Sequence, residues 1–268
     1  MPVAIVTSAS RGIGRAIALR LAKDGNDMAI FDFSSKREGL EALGVEIRKM
    51  GARIHFFGRK LIKDRRCLII TGDISSEQSL QNLIKSTYAL LGDINIFVAN
   101  TAMRAYNNIL DTPLDEFDSI IAVNLRGVFI CYQVAARHMK LQRNGGIIIG
   151  AGSIDGIRAR SGYSAFSASK FGVVGLTQAA AIEFAEFGIR VNCYCPGLVE
   201  PLHVSSKTST PHKKEAMDKT NNTPLSNLLV KRLCTPEDVA GTVSWLCGED
   251  GAYVTGQAII IDGGALRV

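Results

Sequence analysis

A glycine-containing turn near the start of the chain has the composition of an anion-binding loop. It follows an apolar run at 3–7 and leads into a segment of helical period. Gly12 and Gly14 would let the backbone approach a pyrophosphate, and the first turn of a helix offers free N–H groups at the positive end of the helix dipole. A turn of this kind can also be purely structural. The residues that we predict to contact the pyrophosphate-bearing ligand here are Thr7, Ser10, Arg11, Gly12, Ile13 and Gly14.

Two aspartates at the ends of later apolar runs extend the predicted binding site. Asp32 lies eighteen residues after the second glycine of the turn, where an acidic side chain accepts hydrogen bonds from an adenosine ribose. This carboxylate favours NAD, because a 2′-phosphate would meet a like charge, whereas Arg11, Lys36 and Arg37 leave NADP open. Asp73 is predicted either to accept a bond from an adenine amine or to cap the helix that follows.

Strand-like and helix-like segments alternate along the whole chain and must position these residues. Uninterrupted apolar strands imply burial on both faces, which a parallel sheet with helices on each side provides. We therefore predict a single-domain α/β Rossmann fold over residues 1–268, a doubly wound parallel sheet of about seven strands. The predicted strands are 3–7, 28–32, 67–71, 95–99, 146–151, 189–194 and 257–261, and the predicted helices are 13–24, 36–49, 76–91, 115–141, 163–186 and 236–247.

Two segments interrupt this alternation. Residues 51–66 hold six basic side chains and one acid, which accounts for five of the six excess positive charges of the chain. They contain no nucleic-acid recognition motif, so we interpret them as a solvated surface insertion and expect no nucleic-acid partner. Residues 198–230 are polar and follow a strand, which predicts a lid over a ligand site.

Composition and cysteine usage indicate a folded intracellular protein. Of the 268 residues, 47% are hydrophobic and 21% are charged, a balance that fits a packed domain rather than a disordered chain. The six cysteines show neither paired nor zinc-binding spacing, which predicts reduced thiols and no metal. The first residues lack the pattern of a signal peptide, and no apolar run reaches the length of a membrane span. These features predict a cytoplasmic protein without a membrane partner.

The ordered motifs resemble those of the short-chain dehydrogenase/reductase family over nearly the whole chain. Besides the glycine turn, Asp32 and Asp73, the matches are Asn100, Asn124, Ser153, the run Ser167-Ala168-Ser169-Lys170, the stretch 191–197, and the stretches 236–240 and 255–264. The stretches at 191–197 and 232–264 are most similar to the acetoin and butanediol dehydrogenase branch. The resemblance implies the Rossmann fold and a nicotinamide cofactor, with contacts from Asn100, Lys170, Pro196, Gly197 and Val199.

The same resemblance implies a catalytic set with one unexpected member. In this family a serine holds a carbonyl, a tyrosine protonates it, a lysine lowers the pKa of that tyrosine, and an asparagine supports proton resupply. Asn124, Ser153 and Lys170 match, but the tyrosine position holds Phe166. Taken alone, Ser153 is equally compatible with a capping role, and Lys170 with a helix surface.

Phe166 leaves four interpretations open, because a phenyl ring cannot donate a proton. The residue is an engineered replacement of tyrosine, or a natural change toward an iminium substrate that needs no acid. Alternatively Tyr163, three residues earlier, supplies the proton, or the pocket performs a non-redox cyclisation. Asp155 is a spare acid or a counter-ion for a cationic substrate, unless it forms a solvated pair with Arg158. His203, in the predicted lid, is a further candidate for substrate contact.

Three smaller departures from the family pattern accompany Phe166. Ser8 stands at the first glycine of the turn, Thr101 lies in a run that usually reads Asn-Asn-Ala-Gly, and Pro201 replaces a threonine.

The sequence predicts an NAD(P)-dependent oxidoreductase acting on a small carbonyl, alcohol, imine or amine. The alternatives are a non-redox cyclase or isomerase on the same scaffold and a non-catalytic nucleotide-binding protein. The resemblance also implies a homodimer or homotetramer, formed through the helices predicted at 115–141 and 163–186.

Overall fold

Seven parallel strands form the central sheet of the computed structural model, which describes residues 1–50, 66–200 and 228–266 and the backbone of 52–56 and 59–63. The strands are β1 (Val3–Thr7), β2 (Asp27–Asp32), β5 (Cys67–Thr71), β6 (Ile94–Ala99), β7 (Gly146–Ala151), β8 (Ile189–Pro196) and β9 (Ala258–Ile261). Their order is β5-β2-β1-β6-β7-β8-β9, and every neighbouring pair is parallel. The chain therefore runs outward from β1 on one side and then crosses to β6, which places a topological switch point between β1 and β6.

Helices cover both faces of this sheet, as the apolar strands require. Along β1, Val3 and Ile5 face one hydrophobic core while Ala4 and Val6 face the other. The helices are α1 (Gly12–Lys23), α2 (Arg37–Lys49), α3 (Glu77–Leu91), α4 (Leu114–Ile121), α5 (Gly127–Gln142), α6 (Ser164–Phe184) and α7 (Pro236–Cys247). Helices α3, α5 and α6 pack on the first core, and helices α1, α2 and α7 pack on the second. The predicted doubly wound α/β fold is confirmed.

Side-chain caps fix where two of these helices begin. Ser76 accepts a hydrogen bond from the N–H of Ser79 at the start of α3. At the start of α7, Thr235 and Asp238 form a capping box in which each side chain bonds the other residue's backbone N–H. Such caps satisfy backbone donors that the first helical turn leaves free.

The basic segment forms a hairpin that the sequence analysis did not predict. Strands β3 (Ala52–Phe56) and β4 (Arg59–Lys63) pair antiparallel with each other in a separate two-stranded sheet. The hairpin connects α2 to β5 without joining the main sheet, so it remains an insertion in the alternating pattern.

The helix predicted at 115–141 is interrupted at the residues around Asn124, one of the predicted site residues. Residues 122–126 form a π-helical segment between α4 and α5, where one extra residue is accommodated in a turn. Among the described residues, 114–142 is the one helical stretch long and apolar enough to cross a bilayer. Its α5 part packs Val128, Cys131 and Met139 into the first core, which accounts for its apolar character by burial.

Candidate active site

The predicted site residues converge on one edge of the sheet. Because all seven strands are parallel, the segments after β1, β2, β5, β6, β7 and β8 lie at the same carboxyl edge. This edge is where open α/β sheets bind ligands, next to the switch point between β1 and β6. The glycine turn, Asp32, Asp73, Asn100 and Ser153 all follow strand ends there.

The turn after β1 leaves the start of α1 open. Arg11 occupies the N-cap position without a side-chain capping bond, and the first turn of α1 contains no acidic residue. Gly12 has φ of 57°, in the left-handed region that favours glycine. The N–H groups of this first turn are therefore free of side-chain acceptors, unlike those at the starts of α3 and α7, and they suit an anion.

Gly14 has a packing role in addition to the ligand approach predicted for it, which stays a prediction. A Cβ atom at this position would collide with the carbonyl oxygen of Ser8 and the side chain of Asn100. The missing side chain thus lets the first turn of α1 lie against the end of β6. Ile13 beside it is partly buried against the second core.

Asp32 ties the end of β2 to the glycine turn. Its side chain is 6% exposed, and its two carboxylate oxygens accept bonds from the N–H groups of Ser10 (3.1 Å) and Phe33 (2.9 Å). Each oxygen keeps further acceptor capacity. The carboxylate is thereby held at the carboxyl edge, in the place where the sequence analysis puts a ribose.

Asp73 orders the turn before α3 but is not its N-cap. Its Oδ1 accepts bonds from the backbone N–H and the hydroxyl of Ser75, both at 2.8 Å, whereas Ser76 caps the helix. The alternative in which Asp73 caps α3 is therefore wrong, because the Asp73 carboxylate bonds Ser75 in the turn that precedes the helix. Asp73 is exposed at the carboxyl edge, so its predicted adenine contact remains a prediction.

Both polar side-chain atoms of Asn100 form hydrogen bonds within the protein. Its Nδ2 donates to the carbonyl oxygens of Thr7 (3.1 Å) and Ser8 (3.2 Å), and its Oδ1 accepts from the hydroxyl of Tyr194 (2.6 Å). The Thr7 hydroxyl accepts from the Asn100 backbone N–H and donates to Val98. Asn100 therefore stabilises the conformation of the glycine turn through the backbone of Thr7 and Ser8. Tyr194, which completes this network, was missed by the sequence analysis because it reads as an ordinary buried strand residue.

Asn124 lies in the π segment and clamps the chain beyond β6. Its Oδ1 accepts from the N–H of Met103 and its Nδ2 donates to the carbonyl of Met103, both at 2.7 Å. The same Nδ2 donates to the hydroxyl of Ser169 at 3.0 Å, one residue before Lys170. Asn124 is fully buried and joins three elements around the site.

Ser153 caps a short turn and still has a proton to donate. Its Oγ accepts from the N–H of Asp155 at 3.1 Å at the start of the turn Ile154–Gly156. Because a hydroxyl both accepts and donates, the capping and catalytic interpretations are compatible.

Lys170 is a fully buried cation, which excludes the helix-surface alternative. Its Nζ donates to the carbonyl oxygens of Ala151 (2.8 Å) and Thr101 (3.3 Å), and within the described part of the chain it has no carboxylate partner. Loss of hydration lowers the pKa of Lys170 to about 8, an effect that the nearby thiols of Cys195 and Cys193 partly oppose.

Phe166 lies one helical turn before this lysine. The centroid of its ring is 5.6 Å from Lys170 Nζ, and the side chain is 7% exposed. The amine therefore has an aromatic ring on one side and backbone carbonyls on another.

Comparison with known proteins agrees with this geometry. A family model described as enoyl-(acyl carrier protein) reductase matches residues 8–265. A short-chain dehydrogenase/reductase of Armillaria gallica is 38% identical over 263 residues, which cover 98% of this chain and 95% of that protein. This chain belongs to the short-chain dehydrogenase/reductase family.

Further relatives of this short-chain dehydrogenase/reductase have reductase or dehydrogenase names. A 3-oxoacyl-[acyl-carrier-protein] reductase of Staphylococcus epidermidis is 33% identical over 97% of each chain. The structure of an acetoin dehydrogenase from Salmonella typhimurium superposes with a TM-score of 0.81 at 30% identity, covering 98% of this chain and 95% of that one. The chain is accordingly an enzyme of an oxidoreductase family.

The substrate-side residues of this short-chain dehydrogenase/reductase differ from their predicted arrangement. Asp155 does not pair with Arg158, which is exposed; instead its two carboxylate oxygens accept from Arg160 Nε (2.5 Å) and Nη2 (2.7 Å). With both oxygens engaged and 2% exposure, Asp155 is not a spare acid. The Arg160 guanidinium also lies 4.6 Å from the centroid of the Tyr163 ring, and the centroid of the Tyr106 ring lies 5.3 Å from the same ring.

The remaining predicted contacts lie at the end of β8 or outside the described residues. Pro196 pairs with Ile261 of β9, and Gly197 donates its N–H to the same residue at 2.9 Å. Val199 forms an isolated bridge with Cys234. His203, Pro201 and most of the predicted lid at 198–230 lie outside the described residues.

Removing Arg160 should destabilise the fold. Arg160→Ala leaves the buried Asp155 carboxylate without its cationic partner, so we expect the free energy of unfolding to fall by about 3 kcal/mol. Urea denaturation at neutral pH measures this loss. Arg158→Ala is the matched control, because the side chain is exposed and its removal should change stability by less than about 0.5 kcal/mol. Equal effects of the two substitutions would contradict the buried ion pair.

Proposed function

We propose that this enzyme is an NAD(P)-dependent oxidoreductase that transfers hydride between nicotinamide and a small carbonyl, alcohol, imine or amine. The observation that carries the proposal is Lys170, a buried cation at the carboxyl edge of the sheet, together with the open first turn of α1 at the same edge. An uncompensated cation is costly to bury, so its retention at a ligand-binding edge favours a role in binding or chemistry.

The residues at this edge fit a dinucleotide. Free N–H groups at the start of α1 suit a pyrophosphate, and the Asp32 carboxylate suits a ribose diol. Asn100 keeps the turn in shape through its bonds to Thr7 and Ser8. When bound, the cofactor supplies or accepts the hydride.

The chain's own groups then orient the reacting carbon. The Ser153 hydroxyl donates a hydrogen bond to a carbonyl oxygen or an imine nitrogen, while the Lys170 ammonium stabilises electron-rich groups close to it. Phe166 adds no proton. The absence of an acid at the Phe166 position suits an iminium substrate, in which hydride addition neutralises charge at nitrogen, better than a ketone, in which it creates an oxyanion. The Phe166 position therefore favours C=N substrates among those proposed.

Binding and turnover assays test the proposal directly. We expect NADH or NADPH to bind, as measured by cofactor fluorescence, and the nicotinamide absorbance to fall with cyclic imines more readily than with ketones. Binding of both cofactors too weak to detect at millimolar concentration would refute the oxidoreductase function. Cofactor binding with conversion of a substrate at constant nicotinamide absorbance would favour the cyclase or isomerase alternative.

Asp32 should set the preference between the two cofactors. Asp32→Asn removes the charge while keeping the side-chain size and one carbonyl acceptor, so it should shift the ratio of NADH to NADPH affinity toward NADPH by about tenfold, or about 1.4 kcal/mol. Fluorescence titrations give the two Kd values. Asp250→Asn, at an exposed aspartate after α7, makes the same change in net charge away from the edge and should leave the ratio unchanged. An unaltered ratio in Asp32→Asn would contradict the ribose assignment.

We further propose that the enzyme has a single domain, is cytoplasmic and acts on a small molecule. It would form a homodimer or homotetramer and have no nucleic-acid or membrane partner. Support for self-association comes from an apolar groove of about 270 Å³ between α5 and α6. Phe129 is 47% exposed on its wall, and Leu176, Phe184 and Phe187 complete the apolar lining. A second copy of the same helix pair would bury these side chains in an isologous interface.

A further inference from the structure

Two departures from the family pattern meet in space although they are 93 residues apart. The Ser8 hydroxyl, at the first glycine position of the turn, donates to the hydroxyl of Thr101 at 3.1 Å. Ser8 has φ of 48°, a left-handed conformation that costs a residue with a side chain about 1 kcal/mol. The bond to Thr101 helps to hold this turn.

Thr101 also contacts the buried cation. Its carbonyl oxygen accepts from Lys170 Nζ at 3.3 Å, and its side chain is only 5% exposed. The hydroxyl of Thr101 thus holds the glycine turn while its carbonyl holds Lys170. Asn100, the preceding residue, binds the same turn through its bonds to Thr7 and Ser8.

We propose that Ser8 and Thr101 are positioning residues whose hydroxyl pair fixes the Thr101 carbonyl and, through it, the ammonium group of Lys170 relative to the glycine turn. The proposal rests on the proposed function, in which the turn and Lys170 serve one bound dinucleotide. Neither residue needs to touch the reacting atoms for this role.

The surroundings of Lys170 make it sensitive to this single carbonyl. Besides the carbonyls of Thr101 and Ala151, the groups that face it are the Phe166 ring and the side chains of Cys193 and Cys195 on β8. No carboxylate in the described residues pairs with it. Because hydrogen bonds to a charged group favour the charged form, displacing the Thr101 carbonyl should lower the pKa of Lys170.

A double-mutant cycle with a pH readout tests the inference. Thr101→Val and Ser8→Ala each remove one hydroxyl and keep the Cβ atom. The free energy of unfolding is measured by urea denaturation from pH 6.5 to 10.5, and the contribution of Lys170 is isolated by repeating each measurement with Lys170→Met. The contribution of Lys170 to the free energy of unfolding increases above a threshold pH. We expect this threshold to be lower by at least half a pH unit in either single variant. The double variant should move no further, because both substitutions break the same bond.

The conservative and remote controls separate positioning from general stability. Thr101→Ser retains the hydroxyl and should behave as the unaltered chain. Thr87→Val removes a buried hydroxyl bonded to Leu83 in α3 and should lower stability without shifting the pH dependence. An unshifted pH dependence in both Thr101→Val and Ser8→Ala would overturn the inference, whether or not they lose stability.

Cofactor titrations distinguish this inference from the proposed function. If NADH binds, Thr101→Val and Ser8→Ala should each weaken it by about tenfold, with no further loss in the double variant. Additive losses would count against a shared bond. Failure of the unaltered chain to bind either cofactor would refute the proposed function, while the unfolding measurements would still decide the inference.

Discussion

Replacing Phe166 with tyrosine is expected to raise the rate of ketone reduction by about 10²- to 10⁴-fold, the usual contribution of a positioned general acid. The ring at this position is 7% exposed, and its centroid is 5.6 Å from Lys170 Nζ. A phenol placed there would lie beside an ammonium group, which favours the phenolate and lowers the pKa of the new side chain. Steady-state loss of NADH absorbance with a panel of small ketones measures the gain.

Two further variants make this result specific. Phe166→Leu keeps an apolar side chain without a hydroxyl and should not increase ketone turnover. Tyr163→Phe tests the competing donor three residues earlier, whose ring lies between Tyr106 and Arg160. Unchanged turnover in Phe166→Tyr, combined with loss of activity in Tyr163→Phe, would assign the acid to Tyr163 instead. Reduction of a cyclic iminium ion should change little in Phe166→Tyr, because hydride addition to that cation gives a neutral amine without a proton donor.

Lys170 should make a separable contribution to the alkaline stability of the protein. Its pKa is lowered from an ordinary 10.5 to about 8 by burial. Between these pH values the folded chain has released from Lys170 a proton that the unfolded chain still holds, so the contribution of Lys170 to the free energy of unfolding rises with pH. At about 1.4 kcal/mol per pH unit the rise due to Lys170 is about 3 kcal/mol.

Comparison with Lys170→Met isolates this contribution. The partly buried thiols of Cys67 and Cys247, whose pKa values are each raised to about 12 by desolvation, act in the opposite direction above pH 9. That opposing effect is common to both chains and cancels in their difference. We expect the stability of the unaltered chain relative to Lys170→Met to increase by about 3 kcal/mol from pH 8 to 10.5. Lys85→Met, at an exposed position on α3, should show no such increase. A flat difference curve for Lys170→Met would contradict an uncompensated buried cation.

The strands were predictable because each is an apolar run that must be buried on both faces. All seven predicted strands occur within two residues of their expected ends, and the edge where Asp32, Asn100 and Ser153 meet follows from the parallel arrangement. Strands β3 and β4 were not predicted, since the charge of residues 51–66 indicated a solvated surface insertion and the two strands pair only with each other.

The partners of the site residues depend on contacts distant in sequence, which no local pattern specifies. Arg158 and Arg160 are equally plausible partners of Asp155 by spacing, and only the folded turn selects Arg160. The bond between Tyr194 and Asn100 joins β8 to the end of β6 across β7. Similarly, the space where a side chain at Gly14 would lie is occupied by Ser8 and Asn100. A glycine motif alone does not distinguish these uses.

The π segment at 122–126 also sets the rotational phase of α4 relative to α5. A single residue corresponds to about 100° around a helix axis. Joining the two helices by regular α-helical turns would therefore swing Leu114 and Phe117 around the axis and withdraw Asn124 from the Met103 backbone. Chimeras that exchange this region with a homologue should have their crossover points outside residues 114–142, so that the π segment and both helices come from the same protein.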